Sequence, residues 1–237
     1  MRPAVILLLM MCSASAQAHK PSFSTGEYGT ADQAWSIQDP NISTVLYHKV
    51  TCEQPVLWLR YEVEEPTEIF IQLGVPLIDR LADYDPVLGL VHDQVTDGVS
   101  TPFPVPEGLG VQLHERSEER ALFFEPFTQT QSWILGERKV PVPAGTGYIA
   151  AWDPNGQTGK LWVAVGEVED FTEDDWDEAP SWLGNARFFH EEGSGPANAP
   201  EEQMCTAAAE SCSTSTPAMG LWLALLGFGV LRRRQRV

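Results

Sequence analysis

Between residues 41 and 169 the apolar stretches are short, and each is cut off by a turn signal before it reaches the length of an ordinary helix. The runs at 42–50, 56–63, 67–73, 87–92, 109–113 and 121–124 are rich in Val, Leu, Tyr and Phe, and 67–73 partly alternates apolar with polar residues. That is the period of strands. Glu65-Pro66, Asp85-Pro86, Asp97-Gly98, the prolines from Pro102 to Pro106, and Glu125-Pro126 punctuate the runs, where fixed φ, missing N–H donors and Asx bonds interrupt regular structure. Many short strands at this spacing, with helical patterns scarce, predict an all-β domain: a two-sheet, jelly-roll-like sandwich.

From Gly145 to Gly166 two apolar segments, 148–152 and 161–165, flank Asp153-Pro154-Asn155-Gly156. Asp at the first position, Pro presetting φ at the second and Gly at the fourth suit a type I turn, so a β-hairpin is expected. The arrangement G-x-Y, then DP-x-G-x-x-G-K and an apolar strand, resembles the terminal hairpin of secreted bacterial β-sandwich modules of the pre-peptidase C-terminal type. The resemblance implies a jelly-roll-like accessory domain of exported proteins, without catalysis of its own.

Residues 170–192 leave the strand pattern. Thr172 followed by Asp175 has the form of a capping box, and the acidic residues there suit the positive end of a helix. Pro180 is expected to end that helix and Ser181 to cap a second short one. Trp176, Trp182, Phe188 and Phe189 would then form an apolar face lying on the sandwich. Residues 19–40 read as an N-terminal arm on the domain, and 193–217, with little to bury, as a linker or stalk.

The two ends read as addresses. Residues 1–18 contain Arg2, an apolar run from Ala4 to Cys12 and the site Ala16-Gln17-Ala18, which are the parts of a signal peptide. Cleavage is expected after Ala18, leaving His19 as the mature N-terminus. Residues 218–237 hold a second apolar run, stopped by Arg232, Arg233, Arg234 and Arg236. It is shorter than the roughly 20 residues a bilayer core needs, and its arginines favour the cytoplasmic side, with the bulk of the chain outside. The order of Cys212, a Ser/Thr spacer to Pro217, a short apolar helix and a terminal arginine cluster resembles the MYXO-CTERM sorting tail of myxobacterial and related surface proteins. The resemblance implies a temporary membrane tether read by an intramembrane sorting protease, with Cys212 as the processing or lipid-anchoring position. A plain C-terminal anchor is the other reading. Both place the domain at the cell envelope or outer surface, attached to a membrane.

Once Cys12 leaves with the signal, Cys52, Cys205 and Cys212 remain, an odd number for an oxidising compartment. If the tail resemblance assigns Cys212 to sorting, Cys52 and Cys205 are left to pair and would staple the stalk to the first strands. The competing pair, Cys205 with Cys212, would close a small loop and stabilise less. No close-spaced cysteine pair of the zinc-binding kind is present.

The 237 residues include 15 Lys and Arg against 33 Asp and Glu, a net charge of -18. Arg2 and the four terminal arginines account for five of the fifteen, so the stretch 19–211 has ten basic residues against 33 acidic ones, a net of −23. Such a surface repels phosphates and anionic headgroups, which argues against nucleic-acid partners and peripheral lipid binding.

Three constellations are candidate sites. An amino-terminal histidine chelates Cu(II) through its α-amine and ring, so His19 with one of His48, His92, His114 or His190 is a candidate copper site. Asp79, Asp83 and Asp85 offer closely spaced carboxylates for calcium, although Arg80 stands among them and the spacing is not that of an EF-hand loop. Trp35, Trp133, Trp152, Trp162, Trp176 and Trp182 are candidates for a flat glycan platform, while Trp58 belongs in the core. The chain contains no G-x-S-x-G, H-E-x-x-H, Gly-rich phosphate loop or Cys-x-x-Cys. The expectation is an exported, membrane-tethered, non-catalytic module that binds a glycan or surface protein or plays a structural part, with no firm cofactor. The alternatives are a copper protein built on His19 and a calcium-dependent glycan-binding module.

Overall fold

The computed structural model describes residues 19–192, except 97, 115 and 118, together with residue 205. The described strands are β1 (Lys20–Phe23), β2 (Trp35–Ser36), β3 (Thr44–Val50), β4 (Val56–Val63), β5 (Thr67–Pro76), β6 (Val87–His92), β7 (Gly110–Leu113), β8 (Ala121–Glu125), β9 (Thr130–Val142), β10 (Gly145–Trp152) and β11 (Gly159–Val165). They form a six-stranded sheet of order β1-β3-β11-β5-β9-β8 and a five-stranded sheet of order β2-β4-β10-β6-β7. Alternation along each strand sends Leu46, Leu57, Leu59, Ile71, Leu73, Ile149 and Val163 into one shared core, which makes the fold a two-sheet sandwich.

The segment 145–166 is not a hairpin. Its two strands lie in different sheets: β10 sits between β4 and β6, and β11 between β3 and β5. Both are buried on both faces, from Ile149 to Trp152 and from Leu161 to Val165, as interior strands of a covered sheet must be. The turn chemistry itself is local and is present. The Gly156 N–H donates to the Asp153 carbonyl at 3.1 Å, and Asp153 Oδ1 accepts from the N–H groups of Asn155 and Gln157 at 2.8 and 3.1 Å. That turn carries the chain across the sandwich instead of folding it back within one sheet.

The longest described strand, β9, falls where the sequence pattern shows none. Gly136, the charged run Glu137-Arg138-Lys139 and Pro141 interrupt its apolar alternation. The structure accommodates them because β8 pairs with β9 only from Thr130 to Ile134. Beyond that point one side of β9 is an edge, where a proline and exposed charges are tolerated. On its other side β9 follows β5 over their whole length, with a bulge opposite Leu73 and Gly74. Residues 19–40 are likewise woven into the sheets: β1 runs parallel to β3, and β2 parallel to β4.

One helix, α1 (Glu173–Phe189), covers the outer face of the six-stranded sheet. Its capping box is formed, with Thr172 Oγ1 accepting from the Asp175 N–H and the Asp175 side chain accepting from the Thr172 N–H. The expected break at Pro180 does not occur, and Pro180 lies inside a continuous helix. Trp182 and Ala186, beyond the proline, are buried, and Ala186 packs with Val45, Tyr47, Trp162 and Ala164. That burial offsets the roughly 3 kcal/mol a proline costs in a helix interior. Of the four aromatics expected to face the sandwich, Trp182 and Phe189 do so, whereas Trp176 and Phe188 are exposed.

Candidate functional site

The seam between α1 and the sheet gathers most of the polar groups buried on that face. Gly74 on β5 has no side chain, so the Trp162 indole of β11 lies across it; a Cβ there would overlap the ring. The indole N–H thereby reaches Ser132 Oγ on β9 at 3.0 Å. Ser132 Oγ is 3.1 Å from His190 Nε2, and His190 Nδ1 is 2.8 Å from the Ala186 carbonyl. An indole N–H can only donate and a carbonyl can only accept, so the serine hydroxyl donates to Nε2 and the histidine carries its proton on Nδ1. Burial pushes His190 down to about 4. A base that weak takes up few protons at neutral pH, and its orienting partner is a carbonyl, not a carboxylate. The trio therefore serves as a latch on the end of α1.

A second clamp lies one residue further on. Glu191 receives Arg80 at 2.5 and 2.7 Å and Lys160 at 2.7 Å, while Lys160 also donates to the Phe189 carbonyl at 2.8 Å. These cations neutralise the carboxylate and satisfy a carbonyl at the negative end of the helix.

Beside the latch is a groove walled by Tyr47, Phe123, Phe127 and Trp162, with His19 and His190 also lining it. Glu125, Thr128, Thr130 and Ser132 are also among its lining residues. Glu125 ends β8 and organises the turn that follows: it accepts from the Phe127 N–H at 3.0 Å, from the Thr128 N–H, and from Thr128 Oγ1 at 2.5 Å. The space open to the centre of a water molecule is about 20 Å³. That is room for about one water and far too little for a sugar ring. Burial raises the Tyr47 hydroxyl well above its usual range, and the charge of Glu125 adds to the shift. Sequence reasoning missed this groove because its residues come from distant segments whose adjacency depends on strand order.

The sequence-derived candidates are distributed differently. His19 precedes β1 and sits alongside Ser43, with its Nδ1 2.6 Å from Ser43 Oγ. His190 touches the ring of Tyr47, and both His19 and His190 line the groove. His48 is buried elsewhere, with Nδ1 3.1 Å from Ser24 Oγ. Burial pushes both His19 and His48 down to about 4. Asp79 begins a 3-10 turn with Arg80, which pairs with Glu191, and Asp85 holds Arg116 and Arg120. Among the described residues no three His, Cys, Asp or Glu side chains are grouped to hold a metal.

Of the tryptophans, Trp58, Trp152, Trp162 and Trp182 are buried, and Trp35 and Trp133 pack partly against the core. Trp176 is 57% exposed and leans on Phe171. One exposed ring does not make a platform. Cys52 and Cys205 are joined in a disulfide with Cα atoms 5.3 Å apart, and the Cys205 N–H donates to the Gly156 carbonyl at 2.8 Å. Ala18 and Cys212 lie outside the described residues, as do the signal and the C-terminal tail.

No protein-family model matches this chain, and no curated protein matches it. Among solved structures, one similar to it is the pre-peptidase C-terminal domain of a collagenase from Bacillus anthracis, with 10% identity and a TM-score of 0.33. That match covers 56% of this chain and 93% of the other. A likeness of that size says nothing about activity.

Proposed function

We propose that this protein is an exported, non-catalytic β-sandwich module, held outside a membrane by its C-terminal segment, whose work is binding or structural support at the envelope. The observation that carries the reading is the Cys52–Cys205 disulfide. Such bonds persist in oxidising compartments, which is where a chain with a cleavable signal is delivered. The bond is consistent with a stalk of residues 193–217 tied through Cys205 to the segment between β3 and β4.

The test is the intact mass of the protein isolated from its native membranes without reductant. The expected result is a chain beginning at His19, lighter by two hydrogens than the fully reduced form. Retention of residues 1–18, free thiols at both cysteines, or recovery from the cytosol would remove the reading.

A further inference from the structure

We propose that β8 is a self-association edge: two copies of this chain pair antiparallel along Ala121–Glu125, about a twofold axis at Phe123, and join their six-stranded sheets into one. The inference rests on the fold and goes beyond the function proposed above; it depends on neither export nor tethering.

The other described edges are closed to such pairing. β1 carries Lys20, which is held by Asp175 of α1, and β2 has only two residues. The outer side of β7 is occupied, since the Val99 N–H donates to the Val111 carbonyl at 2.9 Å. The part of β9 that runs past β8 carries Glu137, Arg138, Lys139 and Pro141, residue types that discourage strand addition. β8 has none of these devices. Its outer side meets no described strand, and its sequence, Ala-Leu-Phe-Phe-Glu, holds a single charge, at the end.

The side chains at this edge favour a second copy. Leu122 lies opposite Trp133, which packs on the core between the sheets, so alternation turns Leu122 and Phe124 toward the smaller sheet. That sheet has five strands against six and leaves both uncovered: Leu122 is 63% exposed and Phe124 52%. Phe123 points the other way and packs beside Trp162. With Phe123 on the axis, Leu122 falls opposite Phe124 of the second copy on one face, and Phe123 falls opposite its own counterpart on the other. Glu125 falls opposite Ala121 and is already bonded within its own turn, so like charges are not opposed. The segment is complementary to itself, as an isologous interface requires, and the pairing closes at two copies. Residues 193–204, which follow α1 in the chain, hold two prolines, two glutamates and only Met204 as a large apolar side chain, a poor strand for this edge. Pairing over five residues buries on the order of 1,000 Å² in total, the low end for a specific contact, so the dimer is weak and reversible. Each copy is strongly acidic, and salt that screens the repulsion tightens the dimer.

Sedimentation velocity of the mature protein over a range of concentrations, at low and high salt, tests this. The expected result is a reversible monomer–dimer equilibrium with a Kd on the order of 100 µM, tighter in high salt and at least about tenfold weaker in Leu122→Lys. Phe188→Lys, at another exposed apolar position, is expected to leave it unchanged. Amide exchange at 121–125 is expected to slow as concentration rises. A monomer at every concentration, growth beyond dimers, or association indifferent to Leu122→Lys overturns the proposal. So does protection of 121–125 that is equal at every concentration, because another segment of the same chain then lies on the edge. Should Leu122→Lys fail to fold, the concentration dependence of exchange in the unaltered protein decides alone.

Discussion

Gly74 is the position where one missing side chain organises a whole sheet face. Its hydrogen lets Trp162 lie flat and reach Ser132, and the indole is held there by that bond and by Ile134, Val45 and Tyr47. Because the ring cannot swing away, Gly74→Ala is expected to destabilise the domain by about 2–3 kcal/mol, the upper range for overpacking. Urea unfolding measures it, and a variant as stable as the parent refutes the account. The buried histidines give a second residue-scale expectation. His19, His48 and His190 are all lowered to about 4 from 6.5, so the folded state holds them neutral. Their contribution is fully present above the unfolded value of 6.5 and is lost as pH falls from 6.5 toward 4, because the unfolded chain then binds the extra protons. The loss is on the order of 2–3 kcal/mol for each histidine. Denaturant midpoints at several pH values across that window should fall steadily, and a flat profile would refute the assignment. The charges acting on these rings are Glu169 on His19, Glu27 on His48 and Lys160 on His190. Carboxylates such as Asp175 and Glu191, whose values are lowered by their partners, lose their contribution only at more acid pH.

At the scale of elements, α1 separates what is local from what is not. Its start is readable because Thr172 and Asp175 bond within one turn, and Lys20 then meets Asp175 at 2.8 Å. Thr172→Ala should cost about 1 kcal/mol, as losing a helix cap usually does. Thermal unfolding of that variant checks it, with no change counting against the cap. Its continuity through Pro180 is not readable, because the compensation comes from Trp182 and Ala186 against a sheet assembled from distant segments. The same division explains β10 and β11. Asp-Pro-Asn-Gly specifies a turn, but whether the chain leaving it rejoins the same sheet depends on which neighbours the next strand finds. In β9 the apolar pattern is broken by residues that an edge tolerates, and edge status is a property of the neighbouring strand, β8.

For the molecule as a whole, the Cys52–Cys205 bond joins residues 153 apart in the sequence and encloses strands β4 to β11 together with α1. Removing a crosslink that restricts so long a loop in the unfolded chain should cost roughly 3–5 kcal/mol. The double variant Cys52→Ala, Cys205→Ala, compared with the parent by urea unfolding without reductant, measures that cost. Equal midpoints would mean that the bond is absent from the isolated protein. The charge distribution is legible from the residue order alone: five basic residues at the two extremes and a stretch carrying −23 between them. It describes the electrostatic surroundings of the domain more than a chemical reaction.

The residue order by itself determined the all-β class, most strand positions, the helix cap and the chemistry of the Asp153 turn, because each depends on side chains a few positions apart. The tertiary structure decided strand order, the crossing between β10 and β11, the length of α1, the edge that admits β9, and the groove. Alternation says that a residue faces a core. It does not say which strand will lie beside it, and the groove is built from just those choices of neighbour.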